Sequence, residues 1–189
     1  MITECLLAMT IALSAGATTP LPAAETELSP SVIEAVVHAT PAELWKVWST
    51  PEGFRKMGAA KCDMDFRIGG VIRSVYDPRV ELGSESTIQN EILAYEPERM
   101  MAFRIHQPPK GFPFPNAWKS TWSVATMTDL GNGSTLVRLA GMGYDTTQES
   151  QKMKAFFRAG NAYVMGLLQA AFDSAGTTPS GPASATGNR

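Results

Sequence analysis

The sequence predicts an α+β domain in which a curved antiparallel sheet wraps around one long C-terminal helix. Two short helices with clear start signals follow a first strand. Six short segments of alternating apolar and polar residues come next, separated by turn-forming residues. The last segment carries apolar residues at helical spacing for about five turns. A meander of this length must curl, and only the last helix is large enough to cover its apolar face.

The first elements are a strand and two short helices. Residues 32–37 alternate apolar and polar side chains, which is typical of a half-buried strand. Thr40 is a candidate N-cap, Pro41 suits the first helical position, and Glu43 completes a capping box. The stretch TPEGFRKM repeats the same start signal, so it predicts a second short helix.

The meander begins at the stretch DMDFRIGGVIRSVY. Met64, Phe66 and Ile68 alternate with polar residues and predict a half-buried strand that continues through Ile68. Gly69 and Gly70 predict a two-residue hairpin turn, because such turns need a positive φ that glycine adopts without steric cost.

Four further strands complete the meander, and three of them place a recognisable set of side chains on the buried face. These sets are Ile88, Ile92 and Ala94, then Met101, Phe103 and Ile105, then Trp118, Ser120, Trp122 and Val124. The stretch TLVRLAGM forms the last strand. The segment PPKGFPFPN is predicted to be a loop, because its prolines cannot donate to a sheet.

The composition argues against several kinds of partner. The chain has 16 basic and 18 acidic residues, a net charge of −2, so it lacks the basic excess that binds nucleic acid. Its two cysteines and two histidines have no metal-ligand spacing, and we expect neither a metal nor another cofactor. We interpret Cys62 as a small buried apolar residue.

The two ends of the chain differ from the rest. Residues 1–24 resemble a secretory signal peptide, although Glu4 stands where a basic residue is usual, and a frayed apolar N-terminus is the alternative. The apolar run is too short to span a bilayer. Cleavage implies an extracytoplasmic protein, and retention a cytoplasmic one. The rest of the chain divides into a linker at 25–30, the domain at 31–173 and a Pro/Gly-rich tail at 174–189 that we expect to be disordered.

Four motifs in this order make the chain resemble the SRPBCC (START-like) superfamily: VVHATPAELWKVWSTPEGFRKM, DMDFRIGGVIRSVY, NEILAYEPERMMAFR and STLVRL. Within it, the chain is most similar to the C-terminal domain of the activator of the ninety-kilodalton heat-shock-protein ATPase. Residues 65–70 fit that family's Asp-Leu-Arg-Val-Gly-Gly-type hairpin, and residues 91–100 fit its strand followed by P-x-R-L, with Met100 in place of the aliphatic residue. The resemblance implies a helix-grip fold with a cavity between sheet and helix.

The resemblance implies more than one activity. Members of the family bind apolar small molecules or assist a chaperone, and some relatives in the wider superfamily are cyclases or hydrolases. No catalytic constellation is evident in this chain, and whether it is an enzyme stays open. We expect His38 and His106 to face solvent at strand ends, and Asp65 and Arg67 to form a solvated cross-strand pairing.

A binding module for an apolar or lipid-like small molecule agrees best with the residues. Asn90 and Ser120 are polar residues on buried faces, where a ligand, a water molecule or the backbone must satisfy them. Phe112 and Phe114 in the proline-rich loop are candidates for a lid or for a partner contact. The candidate cavity residues are Phe66, Asn90, Ile92, Met101, Phe103, Trp118, Ser120, Trp122, Phe156, Phe157, Val164 and Leu167.

The signal-peptide interpretation predicts a processed N-terminus. We expect N-terminal sequencing of the protein from its native host to place the first residue between Thr18 and Glu25, because the small residues there suit a signal peptidase. Finding an intact Met1 on cytosolic protein would contradict this interpretation.

Overall fold

The computed structural model describes residues 28–173, so the expectations for a signal peptide and for a disordered tail fall outside the described residues. The elements, in chain order, are β1 (Ser31–Val37), α1 (Pro41–Ser49), α2 (Pro51–Lys56), β2 (Lys61–Met64), β3 (Val71–Val75), β4 (Ile88–Glu96), β5 (Met100–Gln107), a 3₁₀ helix (Ala117–Ser120), β6 (Trp122–Asp129), β7 (Thr135–Met142) and α3 (Gln148–Asp173).

The strands form one seven-stranded antiparallel sheet in the order β1-β7-β6-β5-β4-β3-β2. Strands β2 to β7 follow one another as a meander, and β1 joins the far edge beside β7. The two short helices follow β1, and α3 packs on the sheet. The predicted α+β architecture, a curved sheet around a long C-terminal helix, is confirmed.

Helix α1 begins as the sequence predicts. The Thr40 hydroxyl accepts a hydrogen bond from the Glu43 amide at 3.3 Å, and the Glu43 carboxylate accepts one from the Thr40 amide at 2.9 Å. The hydrogen bonds that the Thr40 amide and hydroxyl donate to the Glu43 carboxylate lower the pKa of Glu43. Thr50 repeats the cap at α2, where its hydroxyl accepts from the Gly53 amide at 3.0 Å.

The register of the sheet determines which side chains share its concave face. Residues paired across adjacent strands point to the same side of the sheet. Five central strands contribute almost fully buried residues to this face, namely Ile72, Ile92, Met101, Ala125 and Val137. The same core receives Leu44, Val47 and Trp48 from α1 and Met165 and Leu168 from α3.

The C-terminal half of α3 is fixed to β1. The Gln169 side chain donates a hydrogen bond to the Val36 carbonyl at 2.9 Å. The His38 ring lies 2.9 Å from the Asp173 carboxylate, at an exposed position. Helix α3 therefore lies mainly over the β1 side of the sheet.

The N-terminal end of α3 holds the 3₁₀ helix. The Glu149 carboxylate accepts hydrogen bonds from the Asn116 and Ala117 amides at 2.8 and 2.9 Å. These bonds satisfy two amides at the start of the 3₁₀ helix, and they lower the pKa of Glu149. The proline-rich loop is thus tied to the first turn of α3.

The predicted two-residue hairpin at Gly69 and Gly70 is wrong, and so is the strand through Ile68. Strand β2 ends at Met64, and residues 65–70 form a wider loop before β3. The Gly69 amide donates to the Ile92 carbonyl at 2.8 Å, and the Ile92 amide donates to the Gly70 carbonyl at 2.9 Å. The glycines extend the pairing with β4 instead of forming a two-residue turn.

Both glycines are required for a specific reason. Gly69 has a φ of 76°, a backbone angle that residues other than glycine adopt only at an energetic cost. A Cβ on Gly70 would lie 2.0 Å from the Asp65 carbonyl oxygen. Within this loop the Arg67 guanidinium donates to the Asp65 carboxylate at 2.9 Å, so the expected solvated pair forms inside the loop and not across two strands.

The predicted strand through Trp118 and Ser120 is also wrong. These residues form the 3₁₀ helix, where the Ser120 hydroxyl lies 3.2 Å from the Ala117 and Gly143 carbonyl oxygens. Strand β6 begins only at Trp122. Its pairing partners place Ser123, Ala125 and Met127 on the concave face, one position out of phase with the predicted face.

A register shift corrects one further face assignment. The pairing of β4 with β5 is irregular between Ile92 and Ala94. Beyond this bulge Tyr95 pairs with Met101, so Tyr95 and not Ala94 shares the concave face.

The close contact between α1 and α2 predicts that Gly53→Ala destabilises the domain by about 1–3 kcal/mol. The added Cβ would lie 2.2 Å from the Lys46 carbonyl oxygen and 2.4 Å from the Val47 Cα, and these backbone atoms cannot move without shifting α1. Gly166→Ala in α3 is the matched control, because nothing lies within 4 Å of its Cβ position. We expect the control to stabilise by about 0.5–1 kcal/mol through helix propensity. Urea unfolding measures both, and a neutral Gly53→Ala would contradict the packing described.

Candidate functional site

A cavity of about 270 Å³ lies between the concave face of the sheet and the middle of α3. It exists because α3 packs mainly against β1, while the sheet curves on through β7, β6, β5 and β4. Side chains of the core fill the space at one end, where Met165 and Leu168 are buried. At the other end a gap remains under the helix.

Three groups of residues form the walls. The sheet contributes Ile88, Asn90, Phe103, Ile105, Ser123 and Leu139. The helices contribute Trp48, Phe54 and Met57, and from α3 Phe156, Phe157, Asn161, Val164 and Met165. Loops and strand ends contribute Tyr76, Arg104, Pro109, Phe112, Thr121, Trp122 and Tyr144. Most of this lining is apolar or aromatic.

Four phenylalanines join the proline-rich loop to α3. Phe112 packs against Phe114 with ring centroids 5.4 Å apart, and Phe114 packs against Phe156 at 5.5 Å. Phe112 also lies 6.1 Å from Phe157. Edge-to-face packing of this kind adds to the apolar burial. Phe112 forms part of the cavity wall, and the buried Phe114 supports it from behind.

Tyr144 covers one part of the sheet. A Cβ on Gly141 would lie 2.9 Å from the Tyr144 hydroxyl, so that hydroxyl rests against β7 where only glycine leaves room. Gly141 pairs with Ser123, another cavity residue. Burial raises the pKa of Tyr144 to about 12, so its hydroxyl stays protonated at neutral pH.

Tyr76 lies at the strand β3 end of the cavity. Tyr76 is half exposed. Burial around its hydroxyl nevertheless raises the pKa of Tyr76, and the nearby Ser74 hydroxyl lowers that pKa by a smaller amount. Ser74 itself is fully buried, and its hydroxyl lacks a partner with hydrogen-bond geometry among the described residues. Ser74 pairs with Ile88, which places it on the concave face beside the cavity.

Two carboxamides in the cavity wall have no hydrogen-bond partner among the described residues. Asn90 is on the concave face because it pairs with Ile105 and Ile72. Asn161 lies on α3, four residues after Phe157 and four before Met165, on the same side of the helix. Within residues 28–173 neither side chain makes a hydrogen bond, so both keep donors and acceptors available.

Arg104 is the one charged residue in the lining among residues 28–173. Its guanidinium Nε donates a hydrogen bond to the Glu91 carboxylate at 2.9 Å, and its Nη2 lies 2.8 Å from the same carboxylate oxygen. Glu91 pairs with Arg104 in the register, on the convex face of the sheet. The positive charge of Arg104 is therefore paired with the Glu91 carboxylate outside the cavity.

The structure brings about half of the predicted site residues together. Lining the cavity are Asn90, Phe103, Phe112, Trp122, Phe156, Phe157 and Val164. The others lie elsewhere, for reasons of register and turn geometry. These are Phe66, Ile92, Met101, Phe114, Trp118, Ser120 and Leu167.

The displaced residues have identifiable environments. Phe66 lies in the loop after β2 and packs on Trp45 and Tyr95, at ring distances of 5.7 and 4.9 Å. Ile92 and Met101 are wholly buried in the core.

Three more lie beside other elements. Trp118 packs with Phe114 in an apolar cluster that is separate from the main core. Ser120 bonds to backbone carbonyls of the 3₁₀ helix and of Gly143. Leu167 reaches the turn after α2, 3.0 Å from the Cβ position of Gly58.

Several cavity residues were not predicted from the sequence. Asn161 had a usable signal, because it interrupts an apolar stripe at helical spacing. Ser123 was missed because the predicted face of β6 was one residue out of phase. Tyr76 and Tyr144 follow strands, and their positions depend on loops that periodicity does not describe.

The described residues give no sign of a metal or of paired histidines. Within residues 28–173 no three His, Cys, Asp or Glu side chains are grouped to hold a metal ion. His38 contacts Asp173, and His106 is exposed on β5. Burial raises the pKa of the Cys62 thiol to about 11, which makes it a poor nucleophile. No helix in the described part of the chain has the length and apolarity needed to cross a bilayer.

Known structures share this fold at low sequence identity. The chain superimposes on the protein MLL2253 from Mesorhizobium loti with a TM-score of 0.59 and 18% identity, over 76% of this chain and 96% of that one. The protein NE0264 from Nitrosomonas europaea gives a TM-score of 0.60 and 14% identity, over 80% and 98%. The Aha1 dimer from Colwellia psychrerythraea gives 0.53 and 13%, over 73% and 94%.

The sequence comparison agrees with the structural one. No curated protein matches the chain. Residues 38–173 match the family described as "Activator of Hsp90 ATPase homolog 1-like protein", a span that takes in every element from α1 to α3. The chain therefore belongs to the Activator of Hsp90 ATPase homolog 1-like family, in the SRPBCC (START-like) superfamily.

Proposed function

We propose that this domain binds a small, largely apolar molecule in the cavity between the sheet and α3. The observation that carries the proposal is a 270 Å³ space with aromatic and aliphatic walls and two carboxamides that lack partners within residues 28–173. Ligand cavities in proteins usually span roughly 300–1,000 Å³, so this one suits a compact ligand.

The physical basis is burial of apolar surface. Transfer of apolar area from water to such walls contributes roughly 25 cal/mol per Å². Phe112 from the loop and Phe156 and Phe157 from α3 line the cavity from different elements, so small movements of the loop can open or close the space. In this proposal Phe112 and its support Phe114 act as the lid.

Family membership is compatible with a ligand-binding or a cochaperone-like domain. The family description favours the second candidate, and the exposed Phe156 and Tyr163 on α3, 51% and 68% exposed, offer a surface for protein contact. An ATPase assay of purified Hsp90 with and without this protein distinguishes the two candidates. If a variant with a filled cavity still stimulates the Hsp90 ATPase, this result would favour the cochaperone-like activity.

We also propose that the domain acts outside the cytoplasm. The support is the apolar run at residues 5–13 and the small residues that follow it. An exported domain does not meet a cytosolic chaperone, so the mature N-terminus also bears on the choice between the two functions.

Filling the cavity provides the test of ligand binding. We expect the neutral, environment-sensitive dye prodan to bind the folded protein with a blue-shifted emission and to raise the melting temperature. Ser123→Trp places a large side chain in the space from β6, so it should abolish dye binding and cost less than about 1 kcal/mol of stability. Thr128→Trp, on the convex face of the same strand, is the matched control and should leave dye binding intact.

The opposite result identifies a closed core. If the space is already filled, Ser123→Trp overpacks it and destabilises the domain by roughly 1–3 kcal/mol. That loss, together with no dye binding by the unmodified protein, would overturn the proposed function.

A further inference from the structure

We infer that the cavity selects an uncharged ligand that carries a hydrogen-bonding group, such as a hydroxyl or carbonyl on an apolar ring system, and excludes carboxylates and amines. This inference rests on the proposed function and deepens it. It is carried by two features of the lining within residues 28–173: no charge is available there, and polar groups are present that have no partner in that part of the chain.

The charges of the lining argue against an ionised ligand. No Asp, Glu, Lys or His contributes to the cavity walls among residues 28–173, and the single Arg104 is paired with Glu91 through one hydrogen bond of 2.9 Å and a second nitrogen–oxygen contact of 2.8 Å. An ion that leaves water for an apolar site without a partner loses far more hydration energy than a neutral group does. A carboxylate would have to break the Arg104–Glu91 pair to find a counter-ion.

For a cationic ligand, one attraction partly offsets the loss of hydration energy. Aromatic faces at Trp48, Phe103 and Trp122 border the space, and such faces attract cations. No carboxylate stands among the described lining residues to complete a cation site, however, and the Arg104 guanidinium at the edge carries the same sign as the ligand would. These groups make an amine less favourable than a neutral ligand of the same shape.

The polar groups argue against a pure hydrocarbon. Asn90 on the sheet and Asn161 on the helix each present a donor and an acceptor, from two different walls of one cavity. The Tyr144 hydroxyl, which is protonated at neutral pH, is a third group without a hydrogen bond to the described residues. Asn90 and Asn161 are half-buried, and a ligand that covers them removes them from water, so a ligand that pairs with these groups binds more tightly than one that leaves them unpaired.

Four probes of one shape test this directly: naphthalene, 2-naphthol, 2-naphthoate and 2-naphthylmethylammonium, each titrated into the full chain at pH 7 with quenching of tryptophan fluorescence as the readout. We expect 2-naphthol to bind about tenfold or more tightly than either ion, because the ions pay an uncompensated desolvation cost. We expect it to bind more tightly than naphthalene as well, because only 2-naphthol can pair with the carboxamides.

A double variant assigns the selectivity to the two carboxamides. Asn90→Leu/Asn161→Leu keeps the approximate side-chain size, and it should weaken 2-naphthol binding by about five- to tenfold while leaving naphthalene affinity within about twofold. The melting temperature of the variant verifies that it is folded. Gln89→Leu on the convex face of β4, a position outside the cavity lining, is the control for an amide-to-leucine change and should change neither affinity.

The outcomes separate this inference from the proposed function. If naphthalene and 2-naphthol both fail to bind, the proposed function itself fails. If naphthalene binds but an ion binds as tightly as 2-naphthol, the cavity is real and the inferred selectivity is overturned. Equal loss of naphthalene and 2-naphthol in a folded double variant would likewise overturn the role of the carboxamides.

Discussion

The placement of α3 against one side of a curved sheet is the constraint on which the rest of the structure depends. Gln169 and Asp173 fix the end of the helix to the end of β1, while Glu149 fixes its first turn to the 3₁₀ helix. A helix that is fixed at these two points cannot follow the curvature of the other strands. Core side chains therefore fill the space between the helix and the concave face at one end, and the cavity remains at the other end.

The lining of the open end follows from this geometry. The sheet presents short or polar residues there, including Asn90 and Ser123, where larger apolar residues would have filled the gap. Gly141 leaves room for the Tyr144 hydroxyl, and the loop returns Phe112 over the space. In the proposed function, a bound ligand with its own polar group pairs with the half-buried carboxamides of Asn90 and Asn161.

The order of elements could be predicted from the sequence, because each depends on local signals. The capping box at Thr40 and the alternation in the strands are properties of neighbouring residues, and both are seen in the structure. The site was predicted less well, because strand faces depend on register. The 3₁₀ helix that replaces the predicted start of β6 leaves Ser123 on the concave face, and the bulge in β4 places Tyr95 there. Neither event has a local signal as strong as a helix cap.

The central claim is that a small molecule occupies the space between the sheet and α3, and methionine methyl groups report on it most directly. Met57 and Met165 line the cavity, whereas Met100 and Met127 lie at the far ends of β5 and β6, beyond its lining. In a spectrum of protein labelled with ¹³C at the methionine methyls, added naphthalene is expected to shift the signals of Met57 and Met165 through its ring current and to leave those of Met100 and Met127 in place. Unchanged signals at saturating naphthalene, or shifts of equal size at all four methyls, would contradict the account.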